Sequence, residues 1–383
     1  MSEEIKSRNR IFLIVIFISM VTNTLAPILT TIQDTFSVSP AVSSILPTIS
    51  TFGSLVVNFV GGFFIASFGT KNSLRLSLIF VILGSMFFYA FTNFFMISLG
   101  VLFLGFATGG IFMSLTSNFA HLKPQYQNYG FFHACFGLGG IIAPLIVYIF
   151  MFYNIPIRYI YLFYAFTALF LLFFVSSKFD EIKYEKTDLK NAKDLLRLPI
   201  VYISFILFFL YSGSEISYIT WEGNLFHTGF HYSKEMASLF LSAFWVLYTI
   251  MRALTDLISR KFGYLNLLIF SSISAFISIL IMTIFKIQYL FILTGVLIAP
   301  FFPTLQKFMN FKIKHKDIGL YSGLLYGFDS AGILFLVPAM GFVVNYNPVS
   351  AYVIPLISFF VIFLLVLKIK KINRNEVKHE EKS

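Results

Sequence analysis

Residues 178–199, KFDEIKYEKTDLKNAKDLLRLP, form the longest polar stretch inside a chain that is otherwise strongly apolar. Six apolar segments precede this stretch and six follow it, each near the roughly 20 residues that an α-helix needs to cross a bilayer. We therefore predict two six-helix halves, residues 1–177 and residues 200–383, joined by a linker at 178–199. The second half is expected to end in a short tail.

The apolar segments predict an all-α integral membrane fold with twelve transmembrane helices, and not a β-barrel. Hydrophobic residues make up 58% of the chain and charged residues 12%, and the apolar runs are continuous instead of alternating every second residue. The run after Arg10 is too long for a signal peptide, so we interpret it as the first span. The predicted spans cover residues 11–33, 41–65, 74–92, 95–120, 129–152, 157–177, 200–224, 236–258, 265–285, 288–311, 318–343 and 349–367.

Basic residues are concentrated on one side of the predicted membrane. Only four of the 28 Lys and Arg lie elsewhere: Arg158, Lys234 and Lys286 in gaps on the other side, and Arg252 within a span. An excess of Lys and Arg in cytoplasmic loops is the usual topological bias. We therefore predict a plasma-membrane protein with both termini in the cytoplasm. The net charge of +11 is then explained by loops that face anionic lipid, and not by binding to nucleic acid.

A glycine pattern links the two halves and points to a known family. Gly69 and Lys71 follow span 2, and Gly263 follows span 8 at an offset of 194. The stretch 62–71, GFFIASFGTK, resembles the signature that follows span 2 in the major facilitator superfamily (MFS). Gly62, Gly69 and Lys71 match that signature, whereas Ala66 stands in place of its acid.

The MFS resemblance covers nearly the whole chain and implies a fold and a mechanism. In that family two six-helix pseudo-repeats rock about a central site, spans 1, 4, 7 and 10 face the cavity, and spans 3, 6, 9 and 12 face lipid. The loop after span 2 is thought to gate the inward-closed state through charge pairs. Because Ala66 removes the acid here, the gating role is expected to pass to Arg252 and Asp256, with Gly263 in the corresponding loop of the second half.

A narrower set of residues resembles the fucose/glucose–proton symporter group. The matching features are Gly213-Ser214-Glu215 with Trp221 in span 7, Asn118 in span 4, and Phe132-His133 ahead of Gly137 and Pro144 in span 5. In that group acids in spans 1 and 4 are linked to proton movement. Here spans 1 and 4 carry Asn23 and Asn118 instead, so the resemblance implies a sugar-transport scaffold without those proton carriers.

Ionisable residues within the predicted spans are the main functional candidates, because a charge near the bilayer centre costs about 2.5–3.5 kcal/mol on insertion scales. None of them lies in span 3, 6, 9 or 12. Glu215 and Asp329 have no opposite charge within one turn, which favours proton coupling. We predict that Arg252 and Asp256 pair as helix neighbours. These ionisable residues are His133, Glu215, Glu222, Arg252, Asp256 and Asp329.

Two of these residues have simpler interpretations. Glu222 is expected to be a solvated residue at the outer rim. His133 could hydrogen-bond a neighbouring backbone group or take part in transport.

Polar and aromatic residues on the presumed cavity helices complete the predicted substrate site, with Trp245 and Asn310 as further candidates. The predicted substrate-binding residues are Asn23, Asn118, His133, Tyr218, Trp221, Gln306 and Tyr326.

These observations favour a secondary active transporter that moves a small polar organic solute, with a sugar favoured, by alternating access coupled to protons. The alternative within the same fold is a proton-driven exporter of drugs or metabolites. A membrane-embedded enzyme or a sensor is a remote alternative, because no metal-binding or catalytic constellation is present. The chain has one cysteine, Cys135, and no nucleotide-binding loop. We expect no cofactor or metal, no nucleic-acid partner, and a monomer that contacts membrane lipid.

Overall fold

The computed structural model describes residues 3–120, 122–123, 126, 129–179, 198–313 and 318–380. Most of the predicted linker therefore lies outside the described residues. Within the described residues the chain is helical and has twelve helices that are long and apolar enough to cross a membrane, which confirms the predicted number of spans. These spans are Glu3–Phe36, Pro40–Asn58, Gly69–Tyr89, Phe94–Thr116, Phe131–Phe152, Arg158–Ser177, Pro199–Thr220, Lys234–Phe262, Tyr264–Phe285, Tyr289–Lys312, Leu324–Val344 and Ser350–Arg374.

We call these segments spans 1 to 12. With an even number of crossings, both chain ends lie at one end of the bundle, which we call the termini end; the opposite end is the far end. Span 1 consists of two helices, Glu3–Asn23 and Leu25–Phe36, and span 10 consists of Tyr289–Ile298 and Phe301–Lys312. Span 7 ends at Thr220, four residues before the predicted end, so Glu222 lies in the segment that leads to span 8.

The remaining spans belong to single continuous helices. Spans 2 and 3 share the helix Ile45–Tyr89, which is interrupted at Gly69. Span 2 begins with a short helix, Pro40–Ser43, and the segment between spans 7 and 8 contains the helix Glu222–Asn224 and a π-helical turn, Leu225–Gly229. The other helices are Phe94–Ala120, Tyr129–Phe152, Arg158–Lys178, Pro199–Thr220, Lys234–Phe262, Tyr264–Phe285, Ile318–Val344 and Val353–Glu380, the last after a 3₁₀ turn at Ser350–Tyr352.

Two glycines reverse the chain at corresponding places in the two halves. Gly69, between spans 2 and 3, has φ 83°, and Gly263, between spans 8 and 9, has φ 80°. Both values lie in the region that side chains with a Cβ rarely adopt. The correspondence predicted from the sequence therefore appears as a shared backbone conformation. Gly62 lies in the same helix as Gly69, in a part whose side chains are not described, and Lys71 is half-buried just beyond the turn.

Packing between spans lies mainly within the first six spans or within the last six. Span 4 packs along the helix that contains spans 2 and 3, span 1 packs against spans 4 and 5, and span 7 packs against spans 11 and 12. The halves meet chiefly where span 5 packs against span 8 and where span 11 packs against the helix that contains spans 2 and 3.

Candidate functional site

An ion pair between spans 7 and 8 forms the centre of the candidate site. An Nη2 atom of Arg252 lies 3.5 Å from Oε1 of Glu215, and the hydroxyl of Tyr248 donates to the same oxygen. The Glu215 side chain is 9% exposed and the Arg252 side chain 17%. Tyr248 precedes Arg252 by one helical turn, so both side chains face span 7. The pair is therefore largely enclosed by protein.

The break in span 10 supplies a further partner for Arg252. In an α-helix the carbonyl of Ala299 would accept from the N–H of residue 303, but residue 303 is a proline and has no N–H. The Nε–H of Arg252 donates to this carbonyl over 3.4 Å. The guanidinium also lies 4.6 Å from the ring centre of Tyr248 and 5.9 Å from that of Phe302, within the range of cation–π attraction.

A second carboxylate reaches the same region from span 11. The hydroxyl of Ser212 on span 7 donates to Oδ1 of Asp329. Gly213 and Gly332 allow this approach, because a Cβ at Gly332 would overlap the carbonyl oxygen of Phe209 on span 7. Asp329 is close enough to Glu215 and Arg252 for their charges to interact. Both predicted proton-coupling residues thus lie in one cluster, which we call the central cluster: Ser212, Glu215, Tyr248, Arg252 and Asp329.

The predicted pairing of Arg252 with Asp256 is wrong. Arg252 pairs across to Glu215, and Asp256 pairs with Lys307 on span 10 over 2.9 Å. The Asp256 side chain is 63% exposed and lies one turn closer to the termini end. Arg252 turns inward because span 10 offers it a free carbonyl and span 7 offers a buried carboxylate, whereas the carboxylate of Asp256 is mostly exposed and is paired with Lys307.

The predicted substrate residues of the first half lie on spans 1, 4 and 5 and are held mostly by their own helices. The amide of Asn23 donates to the Ser19 carbonyl over 2.9 Å. The amide of Asn118 donates to the Ser114 carbonyl over 2.8 Å, and its oxygen accepts from Thr70. His133 is half-buried and close enough to Arg252 for electrostatic interaction. Of these three, the described contacts bring only His133 toward the central cluster.

The predicted substrate residues of the second half divide into two groups. Tyr218 and Trp221 are fully buried; the Trp221 indole N–H donates to the Val337 carbonyl over 3.0 Å, and Tyr218 stacks on Phe291. Both are therefore packing residues in this conformation. Tyr326 is 41% exposed, and Gln306 is half-buried on span 10.

An exposed aromatic ring adjoins the central cluster. Tyr326 is 41% exposed, and its ring lies 6.3 Å from that of Phe302, which in turn lies 5.9 Å from the Arg252 guanidinium. A solute that contacts the Tyr326 ring would therefore lie close to a second aromatic face and to the guanidinium.

Contacts between the halves close the far end of the bundle. The amides of Gln33 and Asn224 form two hydrogen bonds, of 2.9 and 3.3 Å, and Lys234 pairs with Asp34. Gly341 at the end of span 11 packs against Ser44 and Trp221. Outside these contacts is a surface cavity of about 580 Å³ that both halves line.

Glu222 is not the solvated rim residue that the sequence led us to expect. It is 0% exposed, and both of its carboxyl oxygens are buried without a hydrogen-bond partner. The reason is the early end of span 7: the chain turns at Trp221 and the next residues are covered by span 1.

Sequence reasoning overlooked three members and neighbours of the central cluster. Tyr248 and Ser212 contact the two carboxylates directly, and Tyr211 donates to the Ile298 carbonyl at the break in span 10 over 2.9 Å. Helical spacing could have identified the two tyrosines, because Tyr211 precedes Glu215 and Tyr248 precedes Arg252 by four residues. Ser212 has no such signal, since only the packing of spans 7 and 11 brings it to Asp329.

Comparisons with known proteins agree with this architecture. The sequence model of the Major Facilitator Superfamily matches residues 11–311. No curated protein matches the chain significantly by sequence. Among solved structures, the D-xylose–proton symporter superposes with a TM-score of 0.79 at 12% identity, covering 94% of this chain and 97% of that one.

Two further structures have the same fold. The fucose:proton symporter FucP of E. coli gives a TM-score of 0.68 at 16% identity and covers 95% of this chain and 98% of that one. A variant of the nucleoside transporter NupG gives 0.76 at 12% identity and covers 96% and 99%. At these identities the likeness concerns the fold.

Proposed function

Because this chain belongs to the Major Facilitator Superfamily, a family of transporters, we propose that it is a proton-coupled secondary transporter of a small polar organic solute, with a sugar favoured. The supporting observation is the central cluster, in which two carboxylates and one guanidinium come together between spans 7, 8 and 11, with the exposed ring of Tyr326 nearby. Sugar–proton symporters and a nucleoside transporter share the fold.

The two carboxylates have different surroundings and therefore different proposed roles. Glu215 is paired with the guanidinium of Arg252 and accepts a hydrogen bond from the hydroxyl of Tyr248. Asp329 is half-buried and has one described hydrogen-bond partner, the hydroxyl of Ser212. We assign the transported proton to Asp329. Glu215 orients Arg252, whose guanidinium and aromatic faces would bind hydroxyl groups and the apolar face of a ring.

Alternating access would proceed by separation of the far-end contacts and approach of the two halves at the termini end. The far-end contacts described above correspond to a state closed on that side. The distribution of basic residues supports a cytoplasmic termini end and a plasma-membrane location. We propose that residues 1–177 and residues 200–383 are the two moving bodies and that residues 178–199 link them. One chain would hold a complete pathway as a monomer, without a cofactor.

The test is solute-induced proton movement in proteoliposomes that contain the purified protein and a pH-sensitive dye. A panel of sugars and a panel of lipophilic cations are added outside. Symport of a sugar would make the exterior more alkaline, and Asp329→Asn should abolish the signal. Glu235→Gln is the control, because it also removes a carboxylate, from a half-exposed position outside the central cluster. A response to cations alone, with protons leaving the lumen, would favour the exporter instead. No proton movement with either panel would refute proton coupling.

A further inference from the structure

Glu222 is a buried carboxyl group that the proposed transport site does not use. It lies just outside the membrane-spanning part of span 7, at the far end. Neither of its oxygens has a hydrogen-bond partner, and the residue is 0% exposed. A carboxylate held in this way would lose its hydration without compensation, so the neutral form is strongly favoured there.

The burial of Glu222 is tied to contact between the two halves. The next residue, Gly223, lies against Thr30 of span 1, where an added Cβ would be 3.2 Å from a methyl group. The following residue, Asn224, forms the paired amide hydrogen bonds with Gln33, also on span 1. Separation of span 1 from residues 222–224 would remove this cover and let water reach the Glu222 carboxyl.

The other ionisable groups around this segment are engaged elsewhere. On span 1, Asp34 pairs with Lys234 of span 8. Glu215 on span 7 pairs with Arg252. The four other ionisable side chains near this segment are hydrogen-bonded. Tyr218 bonds the Phe291 carbonyl and Tyr352 the Tyr218 carbonyl. His227 bonds the Tyr232 carbonyl, and Glu235 bonds the Ser233 side chain. In the described part of the chain, no cation lies within ion-pair distance of Glu222.

We propose that Glu222 is a proton-binding site that controls the far-end gate: its protonated form holds the far end closed, and its ionisation favours opening. This inference goes beyond the proposed function, because it concerns the empty protein and needs no solute. It places a proton site in the contact between the halves, in addition to the central cluster.

The sign and size of the effect follow from linkage. Burial raises the pKa of Glu222 to about 8, whereas water in the open state would return the pKa toward the ordinary carboxyl range. The closed state therefore binds the proton more tightly, and raising the pH favours the open state. The ratio of closed to open molecules should fall by up to about tenfold per pH unit between the two pKa values. Above the higher value the ratio should become constant.

The experiment measures the far-end distance by electron spin resonance in liposomes without solute, from pH 5.5 to pH 9. Spin labels are placed at Thr35→Cys and Tyr346→Cys, two exposed far-end positions on opposite halves, in a Cys135→Ala background. In the labelled protein that retains Glu222, the distance between the two spin labels should shift from short to long as the pH rises. Glu222→Gln, which mimics the protonated carboxyl, should keep the short distance at every pH.

Glu235→Gln is the matched control, because it removes a carboxylate from the same end at a half-exposed position, and its shift should equal that of the unsubstituted gate. A distance that does not change with pH would overturn the proposal, and so would a Glu222→Gln variant that still responds. Since no solute is present, either result would leave the proposed transport untouched.

Discussion

The pair of Glu215 and Arg252 allows an asymmetric prediction about stability. In Arg252→Met the Glu215 carboxylate would keep the Tyr248 hydroxyl but lose its cation, while remaining buried. Breaking a buried pair by removing one partner costs about 3–5 kcal/mol, and we expect Arg252→Met to lie in this range. Glu215→Gln leaves the guanidinium with the Ala299 carbonyl and two aromatic faces. The loss there should be about 1 kcal/mol.

The double variant of Glu215→Gln and Arg252→Met tests whether the loss of stability in Arg252→Met comes from the unpaired Glu215 carboxylate. Once Glu215 is neutral, replacement of Arg252 no longer leaves the Glu215 carboxylate without its cation. The double variant should therefore be less destabilised than the sum of the single variants by about 2 kcal/mol. The control is the same cycle on Asp256 and Lys307, whose side chains are 63% and 29% exposed. That pair should couple by less than about 1 kcal/mol.

Equilibrium unfolding in mixed detergent micelles, followed by tryptophan fluorescence and far-UV circular dichroism, would give the free energies of unfolding. Variants must first elute as a single monodisperse peak. Additivity of Arg252→Met and Glu215→Gln within about 0.5 kcal/mol would refute the reasoning. A larger loss in Glu215→Gln than in Arg252→Met would refute it too, because the guanidinium would then lack the alternative partners described above.

Three further predictions concern backbone packing and the far end. Gly332→Ala should lower the free energy of unfolding by about 1–3 kcal/mol, because the added Cβ overlaps a carbonyl of span 7. Gly327 faces open space, so Gly327→Ala should leave the free energy of unfolding nearly unchanged in the same assay. Gly263→Ala should cost about 1–2 kcal/mol through its positive φ, and a melting temperature equal to that of the unsubstituted protein would contradict this. Asn224→Ala leaves the buried amide of Gln33 with fewer partners and should lengthen the far-end spin-label distance at low pH; an unchanged distance would show that the amide pair does not hold the gate.

The fold was predictable because its signals are long and repeated. Twelve apolar runs, each long enough to cross a bilayer, determine the number of helices. The two proposed proton residues were also identifiable, since an isolated carboxyl in an apolar run is costly. Their neighbourhood could not be derived from the sequence alone.

Three-dimensional packing explains the errors. The sequence offers Arg252 an acid one turn away, but the structure gives it Glu215 from another span, because Pro303 exposes a carbonyl beside it. Glu222 resembles a rim residue by its distance from the middle of span 7, yet span 1 covers it. In both cases a neighbouring helix, distant in sequence, decides what the side chain meets.

The interruption of span 10 has a mechanical consequence. Arg252 is fastened to Ala299, which lies between the two helical pieces of span 10, while Phe302 belongs to the piece nearer the termini end. The guanidinium therefore hydrogen-bonds the backbone at the point where span 10 is interrupted. A bend between the two pieces would move Phe302 relative to Ala299 and would therefore change how strongly the cation is held.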